Sequence, residues 1–213
     1  MATAGRYHRG VNAPALINEV SWPELPDHDR ESIRLIYEDV FPPTERRPFE
    51  SLMTSEVRGW VARRADEVIG FATVVVLKRV GAGLIQYLAV TPPEQSGGVG
   101  STLLAVLARD LPVDSIVLEI EVPALADVMA KRRLVFYERW GAQRLECLED
   151  YFIVDFSKPG ERIPMELLWK PLAAIKQPIG QRLRAVLEAI FEAEYADVAG
   201  AGHLADLLAN VRC

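Results

Sequence analysis

Two groups of residues in this chain are of types, and at spacings, that can do chemistry. The first is Gln95-Ser96-Gly97-Gly98-Val99-Gly100, which follows an apolar run, Leu84 to Val90, and precedes a helical run from Ser101 to Ala108. A glycine-rich turn between a strand and a helix leaves backbone N–H groups bare at the helix N-terminus, where they can grip a phosphate. The second is Glu119 and Glu121, two residues apart in Ser115–Val122. On a strand such a pair projects from one face, with Leu118 and Ile120 on the other, so a carboxylate can accept a proton or bind a cation. A salt-bridged pair on a half-covered sheet is the plainer alternative.

The phosphate reading has three forms, and two fail. A P-loop needs Lys-Ser or Lys-Thr after its last glycine, and Gly100 is followed by Ser101-Thr102. A dinucleotide fingerprint needs glycine or alanine three positions after Gly100, where Leu103 stands. The third form is Gln/Arg-x-x-Gly-x-Gly/Ala, which Gln95, Gly98 and Gly100 satisfy.

The elements that must position these groups follow from periodicity. Leu16 to Val20 reads as a short strand. A helix starting at Asp29 or Ser32 carries Ile33, Ile36, Tyr37 and Val40 on one face and stops at Phe41-Pro42-Pro43. Thr44 is a candidate N-cap for a second helix through Phe49, Leu52 and Met53, limited by Pro48. Val57–Arg64 and Glu67–Lys78 read as strands about a turn at Asp66-Glu67, and Gly81–Gly83 turns into the strand at 84–90. Ser115–Val122 is a strand and Ala126–Trp140 a helix ended by Gly141. Ala142–Cys147 and Pro164–Trp169 are the last strand candidates. Pro178–Tyr195 has Ile179, Leu183, Val186, Leu187, Ile190 and Phe191 at helical spacing, and a short helix spans His203–Val211. The helix packs on its own domain, with a homodimer contact or a lid as the functional alternative.

This order predicts an α/β (α+β) fold: a mixed, mostly antiparallel sheet flanked by helices. Three segments are expected: a flexible tail at 1–15, a catalytic domain at 16–172 and a C-terminal helical extension at 173–213. With 213 residues, 50% hydrophobic and 25% charged, the chain can bury an ordinary core. The net charge of −6 argues against a nucleic-acid surface. No apolar run reaches the ~20 residues of a membrane span, and Met1 to Pro14 lacks the apolar centre of a secretion signal. Cys147 and Cys213 are read as too few and too far apart for a disulfide framework or a metal site, and His8, His28 and His203 offer no zinc spacing. No metal is expected, and a reducing cytoplasm is the default location.

Across residues 16–170 the chain resembles the GCN5-related N-acetyltransferase (GNAT) superfamily. Three matches in order carry this: Tyr87-Leu88-Ala89-Val90 with Pro92 and the glycine turn; the strand ending Leu118 to Pro123; and Phe136-Tyr137-Glu138-Arg139-Trp140-Gly141-Ala142, similar to the family's Tyr-x-x-x-Gly segment. The resemblance implies acetyl-CoA as donor and an amine as acceptor, a small amine or amino sugar being favoured. It implies that strands 84–90 and 115–122 splay apart for pantetheine, bound by the backbone of Leu88, Ala89 and Val90. The turn from Gln95 through Ser96, Gly97, Gly98, Val99, Gly100 and Ser101 would hold the pyrophosphate. Tyr137 would be general acid to the CoA thiolate, its reference pKa of about 10 suiting that task, and Glu119 or Glu121 the base or amine binder. Phe41, Glu45, Tyr87 and Tyr151 are candidate acceptor-lining residues, with Arg46, Arg47, Phe49 and Glu50 nearby. The chain departs from the family at Ala130-Lys131-Arg132-Arg133, where an asparagine often stands. The basic residues there can meet the 3′-phosphate of CoA or form a solvated helix face. A non-catalytic CoA-thioester-binding sensor is the alternative function.

Overall fold

A computed structural model describes residues 14–122, 128–158 and 160–213. The expected N-terminal tail, Pro123 and the first residues of the helix expected at 126–140 lie wholly or mostly outside the described residues.

The strands are β1 (Leu16–Val20), β2 (Val57–Arg64), β3 (Glu67–Leu77), β4 (Ala82–Val90), β5 (Ser115–Glu121), β6 (Gln143–Arg144), β7 (Tyr151–Val154) and β8 (Arg162–Pro171). The helices are α1 (Asp27–Val40), α2 (Phe49–Leu52), α3 (Val99–Asp110), α4 (Val128–Trp140), α5 (Gly180–Glu194) and α6 (His203–Ala209). The sheet runs β1-β2-β3-β4-β5-β8-β6, with β7 also paired to β8. Among the described residues only β4 and β5 are parallel; every other pair is antiparallel. This is the mixed, mostly antiparallel sheet the element order predicts.

Alternation along the strands sorts the core into two faces. Trp60, Ala62, Ala72, Val74, Ile85, Ile116, Leu118 and Ile120 pack with Leu103, Leu104 and Leu107 of α3 and Tyr137 of α4. The opposite face is covered in two parts. Val61, Phe71, Tyr87 and Ala89 lie under Ile33, Ile36 and Tyr37 of α1. Leu84, Val117, Leu167 and Trp169 lie under Leu183, Val186, Leu187 and Ile190 of α5. The residues at 173–213 therefore share the core of the sheet through α5 and α6.

Several boundaries differ from expectation. α1 begins at Asp27, directly after Pro26, which is extended (ψ 144°) and stands at the N-cap. The helix expected from Thr44 is a single turn, Phe49–Leu52, because Pro48 is extended and sits at its N-cap. The strand expected at 142–147 is two residues long, and β7 was not anticipated. The β2–β3 turn falls at Ala65-Asp66, with Ala65 left-handed (φ 53°). Cys147 and Cys213 form a disulfide, their Cα atoms 5.4 Å apart. That corrects the reading of them as unrelated, and with it the ground on which a reducing cytoplasm was expected. Around the bridge, Leu148 pairs with Val211, the Arg212 N–H bonds the Cys147 carbonyl, and Arg212 pairs with Glu149. Among the described residues no helix is long and apolar enough to cross a membrane.

Candidate functional site

The parallel ladder between β4 and β5 is short. It joins Ala82–Ile85 to Ser115–Leu118 and stops. Beyond it each strand keeps only its outer partner: β4 stays on β3 through Val90, and β5 stays on β8 through Glu121. One edge of Gln86–Val90 thus faces one edge of Glu119–Glu121 across a gap. A bulge begins the separation. Tyr87 pairs with Thr73 and Ile85 with Val74, leaving Gln86 as the extra residue. The bulge turns both Gln86 and Tyr87 toward the α1/α5 face, where Gln86 reaches Glu194 and Tyr87 reaches the loop after α1.

At the end of β4 the glycine turn is shaped by backbone geometry. Ser96 and Gly98 are left-handed (φ 71° and 84°), and Gly98 caps α3. The first bond back into the helix is from the Thr102 N–H to the Gly98 carbonyl (2.9 Å). Val99, Gly100 and Ser101 precede it, so their N–H groups have no intrahelical acceptor and point outward at the positive end of the helix dipole. Gln95 is turned inward: its Nε2 donates to the Val90 carbonyl at 3.1 Å and braces the loop. Glu94 pairs with Arg64 of β2, a second brace. At Gly100 a Cβ would stand 3.3 Å from Phe136 Cζ, so the glycine lets α3 and α4 approach closely.

That approach places the residue after Phe136. Tyr137 is 8% exposed and packs its ring 5.0 Å from Phe136, edge to face. Burial pushes its phenol up to about 12, with Arg133 pulling down and Glu121 pushing up. The phenol therefore stays protonated and able to donate. Arg133, one helical turn earlier, donates to Glu121 of β5. Of the basic run, Lys131 and Arg132 are exposed.

On the α1/α5 face the two carboxylates of β5 have different surroundings. Glu119 accepts from both the Tyr151 and the Tyr195 phenols, the latter at 2.7 Å. Burial raises its pKa and those two bonds oppose the rise. Glu121 is engaged by Arg133. Behind them lies Glu194 at the end of α5, 5% exposed, accepting from Gln86 Nε2 at 2.7 Å. Burial is the main reason its pKa is raised to about 8, and Arg47 opposes this.

Glu45 lies on the loop between α1 and α2. The Tyr87 hydroxyl donates to its carbonyl (2.9 Å) and accepts from the Arg47 N–H (3.1 Å), tying the loop to β4. Phe41 packs on Tyr87 at 4.9 Å, and the Tyr37 hydroxyl donates to the Arg47 carbonyl. The Glu45 carboxyl rises to about 7, first from burial and then from the charge of Glu121.

The structure thus gathers Phe41, Glu45, Tyr87, Glu119, Glu121 and Tyr151 on one side of the gap and Tyr137 on the other. Arg47 turns to the Glu194 carbonyl and Asp197, and Arg46 to the Glu38 carbonyl. Glu50 is exposed and paired with Arg34, while Phe49 is core. Gln86, Glu194 and Tyr195 were not anticipated as site residues, and Arg133, expected at the 3′-phosphate of CoA or on a solvated face, pairs with Glu121. The helical stripe ending at Phe191 was visible, but not that the next turn reaches back to β5. An open groove of about 550 Å³ between α1 and Thr91-Pro92 holds none of these groups.

Residues 55–141 match the family model for the acetyltransferase (GNAT) domain. That segment is similar to a GNAT domain. That match spans β2 to α4, and so contains the gap, the glycine turn and Tyr137. No curated protein resembles the chain closely enough in sequence to count as a match. Among solved structures, a GNAT-family chain from Bacteroides thetaiotaomicron is 23% identical with a TM-score of 0.67, the alignment covering 83% of this chain and 96% of that one. The ribosomal-protein-S18-alanine N-acetyltransferase of Escherichia coli is 16% identical, with a TM-score of 0.53 over 78% of this chain and 99% of that one. An aminoglycoside 6′-N-acetyltransferase complexed with coenzyme A is also 16% identical, with a TM-score of 0.53 over 76% and 99%. At these identities the likeness is one of fold.

Proposed function

We propose that this protein transfers an acetyl group from acetyl-CoA directly to an amine. The observation that carries the reading is the opening of β4 from β5 beyond Ile85, with bare helix-start amides at one end and Tyr137 beside it. An extended amide-bearing arm fits between two unpaired strand edges. A pyrophosphate fits the N–H groups of Val99 to Ser101, because no side chain at Gly98 holds it off. Bound there, acetyl-CoA supplies an activated acyl carbon with a thiolate leaving group. The backbone at Val90 lies where an N–H can stabilise charge developing on the thioester oxygen. The protonated phenol of Tyr137 donates to the departing sulfur.

The acceptor side holds four carboxyl groups, Glu45, Glu119, Glu121 and Glu194, against Arg47 and Arg133. That balance favours a cationic acceptor, a small amine or amino sugar, over a carboxylate-bearing one. Thermal denaturation with saturating acetyl-CoA is the first test, since a ligand bound only by the native state raises the melting temperature. No rise overturns the reading. Release of free CoA across a panel of amines is the second. Acetyl-CoA binding with a flat panel supports the sensor in its place.

A further inference from the structure

Both phenols that hold Glu119 lie inside one covalent loop. Tyr151 begins β7 and Tyr195 follows α5, and each donates to the Glu119 carboxylate, Tyr195 at 2.7 Å. The bridge between Cys147 and Cys213 encloses both of them. Glu119 itself belongs to β5, outside that loop, where β5 has parted from β4.

The bridge is fastened to the element of each phenol. On one side, residues 210–213 run along the segment that leads into Tyr151. The Glu149 N–H donates to the Asn210 carbonyl at 3.2 Å, Asn210 Nδ2 to the Asp150 carbonyl at 2.8 Å, and the Arg212 N–H to the Cys147 carbonyl at 2.9 Å. On the other side, the Gly180 N–H at the start of α5 donates to the Cys213 carbonyl. α5 runs from there to Glu194, and Tyr195 is its C-cap. Val211 packs in the same cluster as Tyr151, Leu183 and Tyr195. Residues 210–213 thus connect the two elements whose hydroxyls converge on Glu119. Apart from the sulfur bond, a few hydrogen bonds and the exposed Arg212–Glu149 pair hold them, and so short a segment opens locally at little cost. Cys213 is exposed and Cys147 is 5% exposed, so a thiolate meets the bond from the Cys213 side.

We propose that the Cys147–Cys213 bridge is a redox switch on acceptor binding: its reduction frees residues 210–213, loosens Tyr151 and Tyr195, and so releases Glu119 from its fixed position. This rests on the acetyl-transfer reading above. The reductant is a dithiol. One of its thiolates attacks Cys213 Sγ, the S–S bond breaks, and Cys147 leaves as a thiolate that takes a proton. The second thiol of the reductant then displaces Cys213, which leaves as a thiol. The protein gains two electrons and two protons, and the dithiol becomes a disulfide. The donor side is spared, because β4, the glycine turn, α3 and Tyr137 all precede residue 147.

The test compares oxidised enzyme, enzyme reduced with dithiothreitol, the same enzyme re-oxidised, and Cys213→Ser, below the melting transition of each. On reduction, hydrogen exchange should rise at the amides of Glu149, Gly180 and Arg212 and stay unchanged in β2 and β3. With an amine that the oxidised enzyme acetylates, the amine KM should rise about tenfold or more, the order of one hydrogen bond to a charged group. Acetyl-CoA should stabilise both forms against heat by the same amount. Re-oxidation should restore the KM, and Cys213→Ser should behave as the reduced enzyme and ignore dithiothreitol. Tyr195→Phe removes one donor with the bridge intact and should raise the amine KM of the oxidised enzyme. A reduced, folded enzyme with unchanged amine kinetics overturns the switch and leaves acetyl transfer standing. Exchange that rises equally in β2 and β3 makes the bridge a staple of the whole fold and also overturns the switch. A protein that acetylates no amine in either redox state overturns both.

Discussion

At the scale of single residues, the site turns on how burial sets proton affinities. Tyr137 is held neutral by burial, so Tyr137→Phe tests the donor without disturbing the packing against Phe136. Turnover should fall on the order of 10²-fold while the acetyl-CoA dissociation constant stays within about twofold; equal losses in both would make the ring a packing element. Glu194 gives a prediction about stability. Its folded pKa of about 8 lies above the ordinary 4.5, so the folded state binds the proton more tightly than the unfolded one. The contribution is fully present below about pH 4.5 and is lost as pH rises to about 8. Glu194→Gln keeps an acceptor for Gln86 and removes that titration. Melting curves of the two proteins should converge near pH 4.5 and separate by pH 8, with the glutamine variant the more stable. Tyr137, Glu119 and Glu121 were legible because motif and alternation mark them. Glu194 and Tyr195 were not, because a polar residue at the end of an amphipathic helix reads as solvated until the fold brings another carboxylate beside it.

At the scale of elements, close approaches decide what the chain tolerates. Gly59 of β2 lies under Trp22, where a Cβ would fall 1.9 Å from a ring carbon. The ring is 1% exposed and has nowhere to go. Gly59→Ala should therefore destabilise the fold by about 1–3 kcal/mol or more, read as a lower urea midpoint with an unchanged slope. At Gly98 there is open space but a φ of 84°. Gly98→Ala should cost about 1 kcal/mol in stability and also weaken acetyl-CoA binding, because relaxing that backbone re-aims the helix-start amides. Element by element, β2 was readable to the residue, since a run of strand-forming residues is bounded by turn residues, although both of its faces are covered. The bulge at Gln86 was not. Simple alternation puts Gln86 and Tyr87 on opposite faces, and only the pairing with β3 shows that both face α1 and α5. β7 escaped for another reason: four residues supported on one edge by β8 have too little pattern of their own.

At the scale of the whole molecule, the segment after β8 shares the core of the sheet and reaches the candidate site. α5 closes the core against Leu84 and Val117, and the residue after it hydrogen-bonds Glu119. The mixed sheet and its helices followed from element order. The covalent closure did not, because two cysteines 66 residues apart carry no pairing signal until the termini of that span meet. Closing a loop of this length removes unfolded-state entropy worth about 4 kcal/mol. Cys213→Ser, or wild type in dithiothreitol, should therefore melt well below the oxidised wild type, and reductant should leave the serine variant unchanged. The bridge also redirects mechanical load. Tension applied at residue 213 of the oxidised chain passes through sulfur straight to residue 147. β7, β8, α5 and α6, all of them within that span, stay slack, and the first elements to feel a pull are those before Cys147. In single-molecule extension the reduced chain should lengthen by the contour of the shielded span, a piece of the protein that force cannot reach while the bond holds.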